Sequence, residues 1–386
     1  MPERIVVLGG GIIGLSCAFE AARNGSLVTV VEPSAIGGQA SGAAAGMLAP
    51  YTENPEQPDA FFQLCMDSLK RYPAWVEQIE SLSGMNVELM PTGSITVAMH
   101  EADLLPLQTR MAWQQRYGAA AELIGAEQLR HMEPKLAAAI AGAIYCPSES
   151  HVHAPKLVAA LEVACLKLGI QLMSHAGEIK LPAITKDPLR METAIETSEY
   201  GRIVGDKLII CAGAWASKYA ELFGFPIPIH PIRGQICSFD IASEAGAEAG
   251  AVKHMVFSSQ AYWVGKQDGT LICGASEDVA GYDTTVTERG IESLIRWGPR
   301  VFPFLEGKRP LSSWAGLRPA TLDGWPLIGT IPGREDIIIA AGHYRNGILL
   351  SPATAAMVGS LLRGDSLKGS PFAPERFAKR GSGVQR

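Results

Sequence analysis

Three glycines near the start of the chain have the spacing of a nucleotide-binding turn. Gly9, Gly11 and Gly14 form a G-x-G-x-x-G motif directly after the apolar run at residues 4–8, which predicts a buried strand. The motif alone arises often in a glycine-rich chain, so its context decides its meaning. The next apolar run ends at Glu32, close to the roughly 20-residue spacing at which a carboxylate hydrogen-bonds an adenosine ribose. Together, these residues predict a dinucleotide site whose pyrophosphate lies at a helix N-terminus.

The residue types in this unit follow from the physical demands of such a site. We expect Gly9 to make a tight turn, Gly11 to let the backbone approach the pyrophosphate, and Gly14 to let the helix pack closely on the strand. Residues 36–47 then have almost only small side chains, which suits a backbone that lies against a flat ligand. A flexible linker is the alternative for this segment, but its alanines favour a helix.

Composition argues against several classes of protein. The chain of 386 residues has a net charge of −6, and its 33 lysines and arginines form no dense block, which argues against a nucleic-acid partner. No apolar run reaches the roughly 18 residues of a membrane span, and the glycine motif explains the apolar start better than a secretory signal does. The seven scattered cysteines contain no C-x-x-C pair and predict buried, reduced thiols in a cytoplasmic protein.

The elements that must position the glycine motif alternate between strand and helix patterns, as in an α/β domain with a doubly wound parallel sheet. We expect strands near 4–8, 27–31, 170–173, 207–211 and 337–341, and helices near 12–24, 58–83, 154–161 and 351–362. Polar helices are expected from the strand at 89–99 to about Leu136.

From 226 to 313 the pattern changes to period-2 strands with turn residues between them, which predicts an antiparallel sheet. The chain therefore crosses more than once between two domains, and active sites favour such junctions. The nucleotide-binding domain is expected at 1–86, 150–225 and 319–370, the substrate domain at 87–149 and 226–318, and a polar C-terminal tail at 371–386.

Three longer segments carry a family resemblance. They are residues 40–48, residues 314–326 with the motif Trp-Ala-Gly-Leu-Arg-Pro, and residues 342–350 with the motif Gly-His-Tyr-Arg-Asn-Gly. With the glycine motif and Glu32, they resemble the FAD-dependent amine and amino-acid oxidases of the D-amino-acid oxidase superfamily, and within it the glycine oxidases of the thiamine-synthesis type. The resemblance covers nearly the whole chain. It implies a Rossmann-type doubly wound FAD-binding domain with a discontinuous antiparallel-sheet substrate domain, and FAD rather than NAD.

The resemblance also implies a reaction. Glycine, and small amines or D-amino acids such as sarcosine and D-alanine, would be deaminated oxidatively with O2 to the oxo acid, ammonia and hydrogen peroxide; glycine would give glyoxylate. In the family the α-hydrogen moves as a hydride to flavin N5, so no catalytic acid or base is expected. A role in thiamine thiazole synthesis and a homotetramer are further implications.

Four residues are expected to bind the substrate by this resemblance. Arg318 is the arginine of the W-A-G-x-R-P segment, and its planar guanidinium can hold a carboxylate through two hydrogen bonds. Arg345 and Tyr262 are expected near the carboxylate, and Met47 at the pocket wall. The alternatives are a surface ion pair for Arg318, a loop that mainly offers its backbone to the flavin for Arg345, and core packing for Tyr262 and Met47.

The FAD-binding residues implied by the family lie in the glycine motif, the small-residue segment, two isolated positions and the C-terminal motif. They are Gly9, Gly11, Ile12, Ile13, Gly14, Glu32, Pro33, Ala40, Ser41, Ala45, Gly46, Met47, Glu178, Gly213, His343, Tyr344, Arg345, Asn346, Gly347, Ile348 and Leu349. The helix after Gly347 would place its positive end near the flavin pyrimidine. No metal site is expected, since His151 and His153 have no third ligand nearby in the sequence.

The chain departs from the family at three positions. Gly316 stands where related sarcosine oxidases carry the cysteine that links FAD, which implies noncovalent FAD. Gln260 stands where glycine oxidases carry a histidine, and Glu277 near a position that they fill with methionine. Both positions border the pocket in the family, so the preferred amine stays open.

Other functions also stay open from the sequence. They are a sarcosine or other D-amino-acid oxidase, a dehydrogenase with another electron acceptor, a non-catalytic flavin-binding subunit of a hetero-oligomeric oxidase, and an NAD-dependent dehydrogenase. Peroxide formed per turnover separates the oxidase from the dehydrogenase, and flavin absorbance excludes the NAD enzyme. Arg318 and Tyr262 argue against the non-catalytic subunit, which would have no use for a carboxylate site.

Overall fold

Helices and strands alternate over most of the chain. The computed structural model describes residues 1–54, 58–181, 193–242 and 252–382. Within these ranges the α-helices are α1 (Ile12–Arg23), α2 (Ala40–Ala43), α3 (Pro50–Glu53), α4 (Ala60–Ser83), α5 (Leu104–Arg116), α6 (Ala126–Met132), α7 (Ala154–Lys167), α8 (Ala220–Phe223), α9 (Glu288–Val301) and α10 (Gly347–Leu362). Short 3-10 helices lie at Glu101–Asp103, Gly213–Tyr219, Pro303–Leu305 and Pro374–Ser382. The strands are β1 (Arg4–Leu8), β2 (Leu27–Val31), β3 (Met47–Leu48), β4 (Ser94–Ala98), β5 (Glu122–Gly125), β6 (Gly142–Cys146), β7 (Ser150–His151), β8 (Gln171–Met173), β9 (Ile179–Lys180), β10 (Thr193–Thr197), β11 (Gly201–Gly205), β12 (Lys207–Ile210), β13 (Ile229–Asp240), β14 (Met255–Phe257), β15 (Tyr262–Gly265), β16 (Thr270–Gly274), β17 (Ser312–Thr321), β18 (Leu327–Ile331) and β19 (Arg334–Ala341).

A six-stranded sheet carries the glycine motif. Its order is β18-β19-β12-β1-β2-β8, and neighbours are parallel except for the antiparallel pair β18 and β19. Both faces are buried, which explains the uninterrupted apolar runs of these strands. Helices α1, α4, α7 and α10 cover one face, and the three-stranded sheet β11-β10-β9 packs on the other. The predicted fold class is confirmed, with a small sheet on the face where a doubly wound domain usually has further helices.

An eight-stranded sheet forms the second layer of the site. Its order is β17-β13-β16-β15-β14-β4-β6-β5. Neighbours are antiparallel, as predicted, except for the parallel pair β14 and β4, which come from distant parts of the chain. Alternate residues of a strand point to opposite faces. Trp263 therefore joins the core beneath α9, whereas Tyr262 and Val264 face Ala45 and Met47.

Two expectations about the organisation of the chain need correction. The stretch predicted to hold only polar helices also contains β5, whose four residues are too few to show a strand periodicity. The predicted domain boundary between 318 and 319 lies inside β17, all ten residues of which pair with β13. We therefore propose that the substrate domain ends after Thr321.

The first residues of the predicted polar tail are not a tail. Phe372 and Phe377 are buried, and the Ile328 N–H donates to the Phe372 carbonyl oxygen at 2.9 Å. The prediction of a polar tail is wrong for this stretch because two aromatic side chains anchor it beside β18. Residues 383–386 lie outside the described residues.

The seven cysteines are all buried and have free thiols. Among the described residues, no helix has both the length and the apolar character that crossing a membrane requires.

Candidate active site

The glycine-rich turn joins β1 to α1 as the motif predicts. Gly9 has a φ of +111°, which favours glycine, and a Cβ atom there would lie 2.4 Å from the Cys211 carbonyl oxygen. A Cβ atom at Gly14 would lie 1.9 Å from the Gly9 carbonyl oxygen, so only glycine lets the helix start this close to the strand. The N-terminus of α1 opens into a cavity, because Gly11, Ile12 and Ile13 line it.

Glu32 supports this turn from the end of β2. Its carboxylate is buried; Oε2 accepts a hydrogen bond from the Gly10 N–H at 2.8 Å, and Oε1 accepts from the N–H and the hydroxyl of Ser34, both at 3.0 Å. A carboxylate has about four lone-pair sites, so one remains for the ribose hydroxyl predicted here. The side chain therefore shapes the turn in addition to its predicted contact with the nucleotide.

The cavity has a volume of about 600 Å³ and follows the carboxyl ends of the central strands, where open α/β sheets bind ligands. Most of the predicted cofactor residues share this lining. They are Gly9, Gly11, Ile12, Ile13, Glu32, Pro33, Ala40, Ser41, Glu178, Gly213, His343, Tyr344, Arg345, Gly347 and Ile348. The 3-10 helix at Gly213–Tyr219 adds four residues that were not among the predicted site residues: Ala214, Trp215, Lys218 and Tyr219.

Three predicted cofactor residues lie outside this lining and outside that of the smaller cavity described below. Gly14 lies beneath the turn, where its predicted role is packing, and Asn346 precedes the first residue of α10. Leu349 is buried in the helical core, and its carbonyl oxygen accepts from the Ser68 hydroxyl at 2.6 Å. Its side chain is not at the cofactor cavity, because it lies on the face of α10 that packs against the other helices.

The N-terminus of α10 opens into the same cavity through Gly347 and Ile348. The side chain of the preceding Asn346 makes no capping hydrogen bond, so the positive end of the helix dipole is available to an anion. His343 lies just before it and stays neutral, since burial lowers the pKa of His343 to about 3. Its Nε2 atom lies 3.0 Å from Thr354 Oγ1.

The residues of this cavity fit FAD. Its volume lies within the range of cofactor sites, two helix N-termini suit a pyrophosphate and an electron-rich ring, and a Cβ atom at Gly9 or Gly14 would collide with the turn. The glycine turn would hold the pyrophosphate, Glu32 the ribose, and the start of α10 the flavin.

A smaller cavity of about 70 Å³ adjoins the first. The two cavities share lining residues from the small-residue segment and from the start of α10, namely Ala40, Ala44, Arg345 and Ile348. All four predicted substrate residues line the small cavity, namely Arg318, Arg345, Tyr262 and Met47. Two further predicted cofactor residues, Ala45 and Gly46, line the small cavity and not the large one. The structure thus brings together residues that are far apart in the sequence.

Arg318 is positioned by the pairing of β17 with β13, which sets it opposite Ile232. Its guanidinium lies over Gly234, where a Cβ atom would come within 2.4 Å of Arg318 Cζ. Arg318 Nη1 donates to the Ser276 carbonyl oxygen at 2.9 Å. No carboxylate among the described residues forms an ion pair with Arg318. Its charge is therefore available to a substrate carboxylate.

Tyr262 and Met47 pack in one apolar cluster at the small cavity. Burial raises the pKa of Tyr262 to about 12, so its phenol keeps its proton at neutral pH. Tyr262 can therefore act as a neutral hydrogen-bond donor.

Arg345 differs from Arg318 because two carboxylates lie beside it. Arg345 Nη2 donates to Glu53 Oε1 at 3.0 Å, and Nη1 lies 3.6 Å from Glu277 Oε1. The charge of Glu53 raises the pKa of Arg345 above its usual value in spite of burial, and Glu277 adds to this effect. Glu53 lines the small cavity but was missed from the sequence, because its polar surroundings at the end of α3 resemble a loop.

The positions that depart from the family separate in the structure. Gln260 is exposed and lines neither cavity, so it has no visible part in the site. Glu277 contacts Arg345 at the outer side of the small cavity. A Cβ atom at Gly316 would lie 2.7 Å from Ala43 Cβ, so the absence of a side chain lets β17 approach the small-residue segment.

Lys266 is a buried residue at this site that the sequence did not indicate, because it begins a polar turn. Its side chain is buried, and Nζ donates to the Ala45 carbonyl oxygen at 2.9 Å and the Val152 carbonyl oxygen at 2.8 Å. Burial lowers the pKa of Lys266 to about 7. The amine thereby ties the end of β15 to the segment that lines the small cavity.

We expect the Lys266→Met variant to change how stability depends on pH. The folded protein releases the Lys266 proton near pH 7, whereas the unfolded chain keeps it to about pH 10.4, so wild-type stability gains from rising pH in this window. Relative to the variant, the wild-type free energy of unfolding should rise by up to about 1.4 kcal/mol per pH unit. Urea unfolding of both proteins at pH 7, 8 and 9 measures this difference, and parallel pH profiles would contradict it.

The chain is similar to known proteins over nearly its whole length. The model of the FAD dependent oxidoreductase family matches residues 4–361. Glycine oxidase of Pseudomonas putida is 30% identical over 378 residues, which cover 97% of this chain and 99% of that protein. The bifunctional protein ThiO/ThiG of Synechocystis sp. is 33% identical over 379 residues, which cover 97% of this chain and 54% of that protein.

A solved structure is similar throughout. The crystal structure of glycine oxidase from Geobacillus kaustophilus has a TM-score of 0.88 and 30% identity, and the match covers 97% of this chain and 99% of that one. These findings confirm the resemblance read from the motifs. The chain belongs to the FAD dependent oxidoreductase family, and FAD is its cofactor.

Proposed function

We propose that the protein deaminates glycine oxidatively, and with it small amines such as sarcosine and D-alanine, to the oxo acid, ammonia and hydrogen peroxide. The observation that carries this proposal is the small cavity, where Arg318, Tyr262 and Met47 lie beside the site that suits FAD. A volume of about 70 Å³ suits an amino acid with little or no side chain. Full-length similarity to glycine oxidases of two bacteria supports the choice of glycine.

In this proposal Arg318 binds the substrate carboxylate. Its guanidinium has a neutral carbonyl group as its hydrogen-bond partner, so a carboxylate gains a charge-assisted contact without displacing another anion. Gly234 leaves the space in which the guanidinium lies. Fixing the carboxylate at one end of so small a cavity orients the α-carbon, and orientation is the main contribution that such a reaction needs from the protein.

The other lining residues complete the orientation. Tyr262 is a neutral donor beside Arg318 and can hydrogen-bond a carboxylate oxygen. Met47, Ala45 and Ile236 supply apolar walls that keep water from the α-carbon. When bound, FAD supplies the acceptor for the α-hydrogen and electron pair, and its reoxidation by O2 yields hydrogen peroxide.

The site does not depend on a catalytic base. Glu53 is the acidic residue among those lining the small cavity, and its carboxylate is paired with Arg345. The substrate amine must therefore reach the cavity neutral or lose its proton to water. This agrees with hydride transfer as the reaction step that the family implies.

The electron acceptor is tested by stoichiometry. Glycine, sarcosine and D-alanine are supplied to the holoenzyme in air, and oxygen consumed is compared with peroxide formed. One peroxide per amine oxidised supports the oxidase. Turnover only with an artificial dye acceptor would instead support the dehydrogenase alternative.

The cellular setting belongs to the same proposal. Buried free thiols suit a reducing compartment, which supports a cytoplasmic location. The likeness to glycine oxidases of the thiamine-synthesis type supports a homotetramer and a role in thiamine thiazole synthesis. The lack of a cysteine at Gly316 supports noncovalent FAD, which denaturation should release intact.

A further inference from the structure

The segment that follows β16 contacts both arginines of the small cavity. The Ser276 carbonyl oxygen accepts from Arg318 Nη1 at 2.9 Å, and the next residue, Glu277, reaches Arg345. Glu277 Oε1 also accepts from the Tyr344 hydroxyl at 2.6 Å. The Glu277 carboxylate is thus held at the outer side of the cavity, although about half of its side chain is exposed (49%).

These contacts fix the balance of charge around the substrate. Arg345 has Glu53 on one side and Glu277 on the other, so two negative charges face one positive charge. Arg318 contributes the fourth charge and has no ion-pair partner among the described residues. The four groups together carry no net charge before substrate binds, so Arg318 is the one cation among them that is left for a substrate carboxylate.

We infer that Glu277 determines the charge of the substrate: it selects amines with one carboxylate and excludes those with a second anionic group. This inference rests on the proposed function and specifies its substrate class. A second carboxylate near Arg345 would meet a guanidinium that Glu53 and Glu277 already neutralise, and two like charges in a partly buried site repel strongly. Without Glu277, Arg345 Nη1 becomes free to bind that carboxylate.

Sarcosine and iminodiacetate test the inference as a matched pair, because the N-methyl group of the first is an N-carboxymethyl group in the second. For the wild type we expect kcat/KM to be far higher with sarcosine. In the Glu277→Gln variant the ratio of kcat/KM for iminodiacetate to that for sarcosine should rise at least tenfold. A ratio within twofold of the wild-type value would overturn the inference, as would a wild type that prefers iminodiacetate.

Two control variants distinguish the effect of the Glu277 charge from two others: the effect of its contact with Tyr344, and that of a change in the net charge of the protein. Glu277→Asp keeps the charge but shortens the side chain that reaches Tyr344, and it should keep the wild-type discrimination. Glu335→Gln removes one negative charge from an exposed position on β19, away from both cavities, and should leave the ratio unchanged. Loss of discrimination in Glu277→Asp would show that the contact, and not the charge, determines specificity.

A binding measurement decides the inference even if the proposed reaction fails. Acetate and malonate are titrated into the holoenzyme, and dissociation constants are taken from the change in flavin absorbance. In Glu277→Gln the ratio of the acetate dissociation constant to the malonate dissociation constant should rise at least tenfold over that of the wild type. An unchanged ratio would overturn the inference. Failure of glycine and sarcosine to reduce the flavin would instead overturn the proposed function, whatever the ligand ratio.

Discussion

The Arg318→Ala variant should lose about three orders of magnitude in kcat/KM for glycine. Arg318 is the arginine of the small cavity whose charge no described carboxylate neutralises, so its removal leaves a substrate carboxylate without a cationic partner. Removing one member of a desolvated charge pair costs roughly 2–5 kcal/mol. Most of the loss should appear in KM, because the carboxylate contact exists before and during the reaction. Steady-state peroxide formation measures both parameters.

Two further variants identify the origin of that loss. Arg318→Lys keeps the charge without the planar fork and should recover only part of the activity. Both Arg318 variants should retain FAD at wild-type stoichiometry, since Arg318 lines only the small cavity. The opposite result would place the carboxylate site at Arg345 instead. In that case Arg318→Ala would keep a kcat/KM for glycine within tenfold of the wild-type value, and Arg345→Ala would be inactive.

The Gly14→Ala variant should be isolated without flavin or with FAD affinity at least a hundredfold weaker. A Cβ atom at this position would lie 1.9 Å from the Gly9 carbonyl oxygen and 3.3 Å from Cys211 Cβ. Backbone cannot yield as a flexible side chain does, so α1 must move away from β1 and the N–H groups at its start leave the pyrophosphate. Fluorescence titration of the apoprotein with FAD measures the affinity, and thermal unfolding reports the accompanying loss of stability.

Gly125→Ala is the matched control for this substitution. Gly125 has a φ of −78°, and a Cβ atom there would meet no atom within 4 Å. The Gly125→Ala variant should bind FAD as the wild type does. A Gly14→Ala protein that is yellow, with a full complement of FAD and an unchanged midpoint of thermal unfolding, would show that the turn tolerates a side chain and that its geometry is not required for binding.

The glycine turn could be predicted from the sequence because all its determinants are local. Strand β1, the glycines and the start of α1 are consecutive, and Glu32 directly follows the adjacent parallel strand β2. The fold class followed from the same periodicities. Short elements such as β5, and the burial of Phe372 beside β18, depend on packing partners far away in the chain and could not be read from a local pattern.

The substrate site was predicted less completely, because its residues meet only after the two sheets pack together. Arg318 and Tyr262 were found through the family resemblance. Glu53, Gly234 and Lys266 were not found, since nothing in their immediate sequence distinguishes them from loop or strand residues. The role of Gly234 follows from strand register, which sets it where it leaves space for the Arg318 guanidinium. The role of Lys266 follows from its burial, because its amine reaches carbonyl groups of a different domain.

The positions of the two residues that depart from the family pattern near the pocket also could not be predicted fully from the sequence. Gln260 and Glu277 were both expected to border the pocket. The structure leaves Gln260 exposed and outside both cavities, and it sets Glu277 against Arg345. Of these two side chains, Glu277 therefore contacts a residue that lines the small cavity, whereas Gln260 lines neither cavity.

The most direct test of the central claim is anaerobic mixing of the holoenzyme with glycine, sarcosine and D-alanine, with the flavin absorbance followed over time. We predict that glycine bleaches the flavin, that at a glycine concentration below KM the rate falls sharply in Arg318→Ala, and that air restores the colour with one peroxide per flavin. Bleaching by sarcosine or D-alanine but not by glycine would show that the substrate is one of those amines and not glycine. A flavin that none of the three amines reduces would contradict the assignment of an amino-acid oxidase.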